Sequence, residues 1–335
     1  MLSVLVLMSD TLIAHTEISI VKTRHPDPNT ARLAGCMTLV HAIDDTRKLR
    51  GVMLSCCPAP ALRHLIRYYY QVDAGLARGT AVQPVPARSP QAIEFTFGDP
   101  FGVRQLDRAG TRNAYPIALI GSQTFHRVEL LMQGNIDAFT VVLQPGAVSR
   151  LFSVPAEELT NNDFDGEVVL GRGLGELLRR LGDVASFADR ARVADTYLLT
   201  KGPTSDSVSG MTLAARSVQA SGGCLRVPHL AHQAGLGIRQ FERRFRREIG
   251  VPPKLYARIV RFEAALRRKA AAPLTLWTDI AHALGYHDQM HMVRDFKHLS
   301  GDSPTAIYGQ LDMFVQPELI SLADRNTDHT NDKVS

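Results

Sequence analysis

Cysteine is scarce in this chain and follows no familiar metal-binding or disulfide pattern. The four cysteines are Cys36, Cys56, Cys57 and Cys224, and none belongs to a C-x-x-C pair. A disulfide framework needs many cysteines in a short chain, and a structural zinc site needs closely paired ones. We therefore expect four reduced thiols, no bound metal, and a fold that rests on the hydrophobic 45% of its 335 residues.

Long hydrophobic runs are also missing. No stretch approaches the roughly 18 apolar residues of a membrane-spanning helix. The apolar start of the chain lacks a basic flank, and Asp10 ends it before a signal sequence could be completed. These features predict a cytoplasmic protein with no membrane partner.

Motifs of catalysis are absent too. There is no P-loop, no G-x-S-x-G elbow and no H-E-x-x-H motif. His229 with His232, and His287 with His291, are spaced to share a metal on a helix, but no third ligand accompanies either pair. Among the predicted β-strands, only His126 is available as a histidine ligand for a catalytic metal. We expect no catalytic residue, no metal and no cofactor, which leaves a metalloenzyme as the least favoured class of function.

The positive charge is concentrated in one segment. Residues 222–311 hold 14 Lys and Arg against 7 Asp and Glu, a net charge of +7, whereas the whole chain carries +5. The final 24 residues, 312–335, carry a net charge of −3. Such a basic block indicates a polyanionic partner.

The basic block contains one pattern twice. Gly235 and Gly285 are 50 residues apart, and Phe245 and Phe296 are 51 apart. Each copy predicts a short helix, a tight turn at the glycine and a second helix, which together form a helix-turn-helix whose second helix fits the major groove. Between the copies, the apolar spacing over residues 253–269 predicts one amphipathic helix that acts as a rigid strut.

The second helix of each copy carries side chains suited to DNA. Arginine can bind guanine and glutamine can bind adenine, and residues farther along such a helix meet phosphates. The predicted base-reading residues are Arg239, Gln240, Arg243, His287, Gln289, Met290 and His291. The predicted phosphate-binding residues are Arg244, Arg246, Arg247, Arg294 and Lys297. In the second copy, Asp288 is expected to cap the helix.

The remainder of the chain predicts an α+β protein. Alternating apolar segments at 92–97, 117–120, 125–132 and 136–143 indicate antiparallel strands, and helices are expected near 174–181 and 187–199. The expected organisation is an extension at 1–57, a mostly antiparallel β domain with helices at 58–201, a linker at 202–207, an all-α double helix-turn-helix domain at 208–311 and a polar acidic tail at 312–335.

Residues 206–311, and above all the second copy at 279–304, resemble the AraC/XylS family of bacterial transcription regulators. The resemblance implies a seven-helix, two-lobed DNA-binding domain with recognition helices at 238–248 and 288–299. Two positions depart from the family pattern: Gly237 replaces the usual serine cap, and Met292 replaces an aromatic residue.

The amino-terminal half resembles, more weakly, the sensor domain of one subgroup of that family. This resemblance implies a cupin-like barrel that binds a small-molecule effector or forms a homodimer. The sequence thus predicts a sequence-specific transcription regulator whose partner is double-stranded DNA, together with RNA polymerase if the protein is an activator. The alternative is a small-molecule-binding or partner-binding protein with only incidental DNA contact.

Overall fold

The computed structural model describes residues 41–42, 49–76, 79–107, 109–202 and 208–310. The strands, in chain order, are β1 (His41–Ala42), β2 (Leu49–Cys56), β3 (Ile66–Leu76), β4 (Ala81–Val85), β5 (Ala92–Thr96), β6 (Gly102–Gln105), β7 (Thr111–Asn113), β8 (Ile117–Ile120), β9 (Val128–Met132), β10 (Asn135–Leu143) and β11 (Asp163–Asp165). The α-helices are α1 (Ala147–Phe152), α2 (Gly166–Leu170), α3 (Gly173–Gly182), α4 (Phe187–Lys201), α5 (Gly210–Ala220), α6 (Val227–Gln233), α7 (Ile238–Ile249), α8 (Pro253–Ala271), α9 (Trp277–Ala283), α10 (Gln289–Ser300) and α11 (Pro304–Gln310).

The β-strands form two antiparallel sheets. The larger has the order β1-β2-β3-β10-β5-β8-β11, and the smaller has the order β4-β9-β6-β7. Side chains alternate between the faces of a strand, so Tyr68 and Tyr70 of β3 join Phe101 and Met132 in one apolar cluster, while Tyr69 joins a different one. The expected α+β architecture and the four expected strands are confirmed.

The cluster on the other face of the larger sheet joins it to helices. Leu177 of α3 and Phe187 of α4 pack there with Tyr69 and Phe139, whose rings stack 5.6 Å apart. Asp195 of α4 accepts a hydrogen bond of 2.8 Å from the Tyr69 hydroxyl. These helices match the two periodic segments predicted from the sequence.

Two features differ from expectation at the start of the described chain. Strand β2 falls within the segment assigned to an extension, yet it pairs with β3 along its length and buries Met53 in the sheet core. Cys57 is disulfide-bonded, so the expectation of four reduced thiols is wrong at that position. The tail at 312–335, the linker beyond Gly202 and residues 1–40 lie outside the described residues.

The carboxyl-terminal region contains seven helices, α5–α11, among the residues described. They form two lobes that share α8. Phe241, Phe245 and Tyr256 lie in the core of the first lobe, and Phe262 and Phe296 lie in that of the second. The two-lobed, seven-helix arrangement is confirmed, and α8 spans both lobes as the strut that its periodicity predicts.

The β domain packs directly on the helical domain. The Thr160 hydroxyl donates a hydrogen bond of 2.7 Å to the Gly250 carbonyl, and the Arg216 guanidinium donates one of the same length to the His64 carbonyl. These two hydrogen bonds therefore join the first lobe to the β domain.

Candidate nucleic-acid interface

The first helix-turn-helix consists of α6 and α7. Gly235 adopts a φ of +65° in the turn, a left-handed conformation that glycine takes at little cost. The Leu236 amide donates back to the Ala231 carbonyl at 3.0 Å, which closes the turn. Gly237 occupies the N-cap of α7 without a side-chain hydrogen bond, as its lack of a side chain requires.

Helix α7 exposes a strongly basic face. Phe241, Phe245 and Ile249 anchor its other face in the first lobe. Ile238 is 49% exposed because it lies at the first residue of the helix, beyond the edge of the core. The exposed predicted DNA-binding residues of α7 are Arg239, Gln240, Arg243, Arg244, Arg246 and Arg247.

Two arginines of this face also have acidic neighbours. Arg246 forms an ion pair of 3.2 Å with Glu157, which belongs to the 3-10 helix Ala156–Leu159 of the β domain. The Arg244 guanidinium lies 4.0 Å from the Glu248 carboxylate. Among the described residues, Arg246 is the predicted DNA contact on α7 that forms an ion pair with an acid of the β domain.

The second helix-turn-helix consists of α9 and α10. Gly285 has a φ of +67° in the turn, and the Tyr286 amide donates to the Ala281 carbonyl at 3.0 Å. The Asp288 carboxylate caps α10 by accepting a 2.6 Å hydrogen bond from the His291 amide, as predicted. Its other oxygen lies 3.0 Å from His287 Nδ1, and that hydrogen bond, together with the His291 amide, lowers the pKa of Asp288.

The start of α10 presents a more neutral set of side chains. His287, Gln289 and Met290 are exposed, Met290 by 58%. The His291 ring is half-buried and packs edge-on against Tyr286 at 5.4 Å, so it is less accessible than its neighbours. Farther along the helix, the predicted phosphate-binding residues Arg294 and Lys297 are exposed.

An ion pair that the sequence did not reveal holds α10 in place. Arg258 of α8 donates to the Asp295 carboxylate at 2.8 and 3.1 Å. The Asp295 side chain is only 6% exposed, and a buried carboxylate of this kind requires its partner. The pair fixes α10 against the strut from the side opposite to its exposed face. Phe262 and Phe296 add an edge-on ring contact of 4.7 Å.

Two family models match the chain. Residues 230–309 match the model described as a helix-turn-helix domain, and the match begins within α6 and includes all of α7 to α10. Residues 230–309 form an AraC-type helix-turn-helix domain. Residues 54–165, which comprise most of the β domain, match a domain of unknown function, DUF6597. No curated protein matches the chain.

Solved structures of regulators resemble the chain over most of its length. ToxT from Vibrio cholerae has 9% identity and a TM-score of 0.42, with coverage of 79% of this chain and 99% of ToxT. ToxT bound to an unsaturated fatty acid has 9% identity and a TM-score of 0.43, with coverage of 80% and 98%. The AraC-like transcriptional activator CuxR has 12% identity and a TM-score of 0.29, with coverage of 73% and 88%.

A cavity lies between the two sheets of the domain that precedes the AraC-type domain. Its volume is about 90 Å³, and its wall is mostly apolar, with Arg88, Glu94 and Asp163 as charged members. The apolar lining residues include Val72, Val85, Phe101, Val103, Leu130 and Ile136. No cluster of three potential metal ligands and no helix able to cross a membrane occurs among the described residues.

His126 lies where the β domain meets the end of α10. It is half-buried beside Gly301, and its Nε2 is buried without a hydrogen-bond partner in the described structure. Burial lowers the pKa of His126, although Glu129 and the backbone of Ser300 act in the opposite direction. The folded contact between the β domain and the AraC-type domain therefore favours the neutral imidazole.

We expect this histidine to make the protein less stable in mild acid. Because its folded-state pKa lies below the ordinary value of 6.5, the unfolded chain binds the proton more readily as the pH falls below 6.5. The stability of the chain should then fall more between pH 7.5 and 5.5 than that of His126→Gln. Urea unfolding of both proteins at the two pH values measures this, and identical pH dependence would contradict it.

Proposed function

We propose that this chain reads DNA sequence with two recognition helices, α7 and α10, placed in successive major grooves on one side of the duplex. The AraC-type helix-turn-helix domain makes it a DNA-binding transcription regulator. The observation that carries the proposal is the repeated unit itself. Both units expose a helix for DNA, and one continuous helix, α8, fixes them in a single body.

The two helices are proposed to read DNA differently. Arg239, Gln240 and Arg243 lie at the start of α7, where side chains reach base edges. Each can form a bidentate contact: an arginine donates twice to guanine, and a glutamine donates to adenine and accepts from it. Gln289 and Met290 occupy the corresponding place in α10, where the thioether can contact a thymine methyl group. Half-buried His291 is a weaker candidate than exposed His287.

The remaining basic residues are proposed to hold the phosphate backbone. These contacts orient the helices without reading sequence. Arg244 and Arg247 in α7, and Arg294 and Lys297 in α10, are exposed for this role. Arg246 is proposed to contact phosphate only in competition with Glu157.

Removal of one phosphate contact should weaken binding evenly across DNA sequences. For Arg247→Ala we expect a lower affinity for every site and a slope of log affinity against log salt that is smaller by about 1, because one fewer counterion is released. Titrations between 50 and 200 mM salt on specific and unrelated duplexes measure this. Arg172→Ala, an exposed arginine of the β domain, is the charge-matched control. An unchanged slope would remove Arg247 from the contact set.

The cavity between the sheets is proposed to bind an effector. Its wall suits a small, mainly apolar molecule with one hydrogen-bond acceptor, because the Arg88 Nε is buried and lacks a hydrogen-bond partner within the described residues. A homodimer, and RNA polymerase as a partner, remain predictions of the family resemblance.

Selection from random duplex DNA tests the proposed function. The full-length protein is expected to enrich one motif with two conserved segments, one for each recognition helix. The variant Arg239→Ala with Gln240→Ala is expected to lose preference in one segment and keep the other. Folded protein that enriches no motif would refute sequence-specific recognition.

A further inference from the structure

A short buried segment connects the cavity to the AraC-type domain. We name residues 85–91, which link β4 to β5, the coupling strap. Its sequence is Val-Pro-Ala-Arg-Ser-Pro-Gln, and every one of these residues except Arg88 is buried. The two prolines each fix a backbone angle, so the strap is a stiff connection and not a flexible loop.

One side of the strap faces the cavity. Val85 and Arg88 both line it. The Arg88 backbone exchanges two hydrogen bonds with that of Gln123, at 2.8 and 2.9 Å. The Ser122 hydroxyl donates to the Ser89 carbonyl at 2.8 Å. The strap is therefore anchored to the β domain next to the place where a ligand would lie.

The opposite side of the strap is embedded in the second lobe. Ala87 is 2% exposed and belongs to the same apolar cluster as Phe262 and Phe296. Its amide donates a 2.8 Å hydrogen bond to the carbonyl of Leu299, in the last turn of α10. A residue of the β domain thus completes the core that supports the second recognition helix.

A buried carboxylate strengthens this connection. Glu263 of α8 is 4% exposed. Its two oxygens accept hydrogen bonds from the Ser89 amide, at 2.6 Å, and from the Ser89 hydroxyl, at 2.9 Å. A carboxylate removed from water depends on such donors. Displacement of the strap would leave Glu263 poorly satisfied, so the strap and α8 are held in register.

We propose that the coupling strap transmits occupancy of the cavity to the second recognition helix. This inference rests on the proposed DNA-binding function and specifies how it is regulated. A molecule that contacts Val85 or Arg88 shifts a stiff segment whose other side holds α8 and the end of α10. The two ligands, the cavity occupant and DNA, are then linked, and each changes the affinity of the protein for the other.

Cavity-filling substitutions can stand in for the unidentified ligand. Ala118→Leu adds three methyl-sized groups at a buried wall position, and Ala114→Val is a milder change at a half-buried one. Each is made in the full-length protein and in an uncoupled form that carries Ser89→Ala and Glu263→Gln. Val168→Leu, at an exposed apolar position outside the cavity, is the control. The measurement is the Kd for the DNA site selected by the unmodified protein, with thermal unfolding to confirm that each variant folds.

We expect at least one cavity variant to change Kd by about fivefold or more in the unmodified background and by less than twofold in the uncoupled one. Val168→Leu should change neither. Equal changes in both backgrounds, or no change from either cavity variant, would overturn the coupling.

If both cavity variants fail to fold, amide hydrogen exchange is the second test. The variant that combines Ser89→Ala with Glu263→Gln must exchange faster than the unmodified protein at the Ala87 amide and at the end of α10, and unaltered exchange overturns the proposal. Failure of the unmodified protein to select any DNA would instead refute the proposed function itself.

Discussion

Replacement of Phe296 by alanine is expected to lower the free energy of unfolding by about 3–5 kcal/mol. The ring is fully buried in the second lobe. It lies edge-on to Phe262 at 4.7 Å and to Trp277 at 5.6 Å. Loss of the ring removes the free energy that its burial contributes to folding. It also leaves a cavity whose lining atoms lose their van der Waals contacts with the ring. Phe296 is also the central anchor of α10, so binding to the DNA segment read by that helix should weaken as well.

Urea unfolding measures this effect with a built-in probe. Trp277 is the single tryptophan of the chain and packs on Phe296, so its fluorescence reports on this lobe. Phe296→Leu should lose less stability because it retains most of the apolar volume. Phe125→Ala, at a site 37% exposed, is the matched control and should lose far less. A loss under about 1 kcal/mol for Phe296→Ala would show that the second lobe is not packed around this ring.

Single substitutions at the start of α7 are expected to weaken the recognition of DNA bases. Arg239→Ala or Gln240→Ala should cost roughly 1–3 kcal/mol of DNA-binding free energy and relax preference at one base position. Both side chains are exposed at the start of the helix, where no other part of the described structure holds them. Their removal should therefore leave folding unchanged, since neither contributes to the core.

Competition binding with all single-base variants of the selected site measures this. A base-reading residue shows a loss of preference confined to one or two positions, whereas a phosphate-binding residue weakens all sites alike. Arg247→Ala supplies that second pattern as a comparison. Uniform weakening by Arg239→Ala would move Arg239 from the base-reading set to the phosphate-binding set.

Local pattern predicted the helical domain well. Gly235 and Gly285 mark the two turns because a left-handed backbone favours glycine, and the structure places both there with positive φ. Phe245 and Phe296 mark the buried faces because apolar residues recur at helical spacing. The cap at Asp288 follows from the chemistry of its short carboxylate side chain. Each of these features depends on neighbours within a few residues.

Contacts between distant residues could not be predicted in this way. The Ser89–Glu263 pair joins residues 174 apart in sequence, and the Arg258–Asp295 pair joins residues 37 apart. A charged residue on a helix is usually solvated, so neither acid differs from a surface residue in the sequence alone. The same holds for Glu157, whose contact with Arg246 depends on how the β domain packs on α7. The packing of the two domains on each other determines the Ser89–Glu263 and Arg246–Glu157 contacts. The Arg258–Asp295 pair depends instead on how α8 and α10 pack within the helical domain.

The β domain could be predicted from the sequence only in part. Alternation predicted the strands at 92–97 and 136–143, but β2 was missed because its pairing with β3 became evident only in the assembled sheet. The cavity has no local signal either. Its wall draws on strands of both sheets, and its charged members, such as Arg88 and Asp163, are far apart in sequence.

A footprint of the full-length protein on its selected site tests the central claim most directly. Two recognition helices fixed on one strut predict two protected major-groove segments on the same face of the duplex, with centres about 34 Å, or one helical turn, apart. Substitutions in α7 should remove one segment, and substitutions in α10 should remove the other. A single protected segment, or protection that does not depend on sequence, would contradict the account.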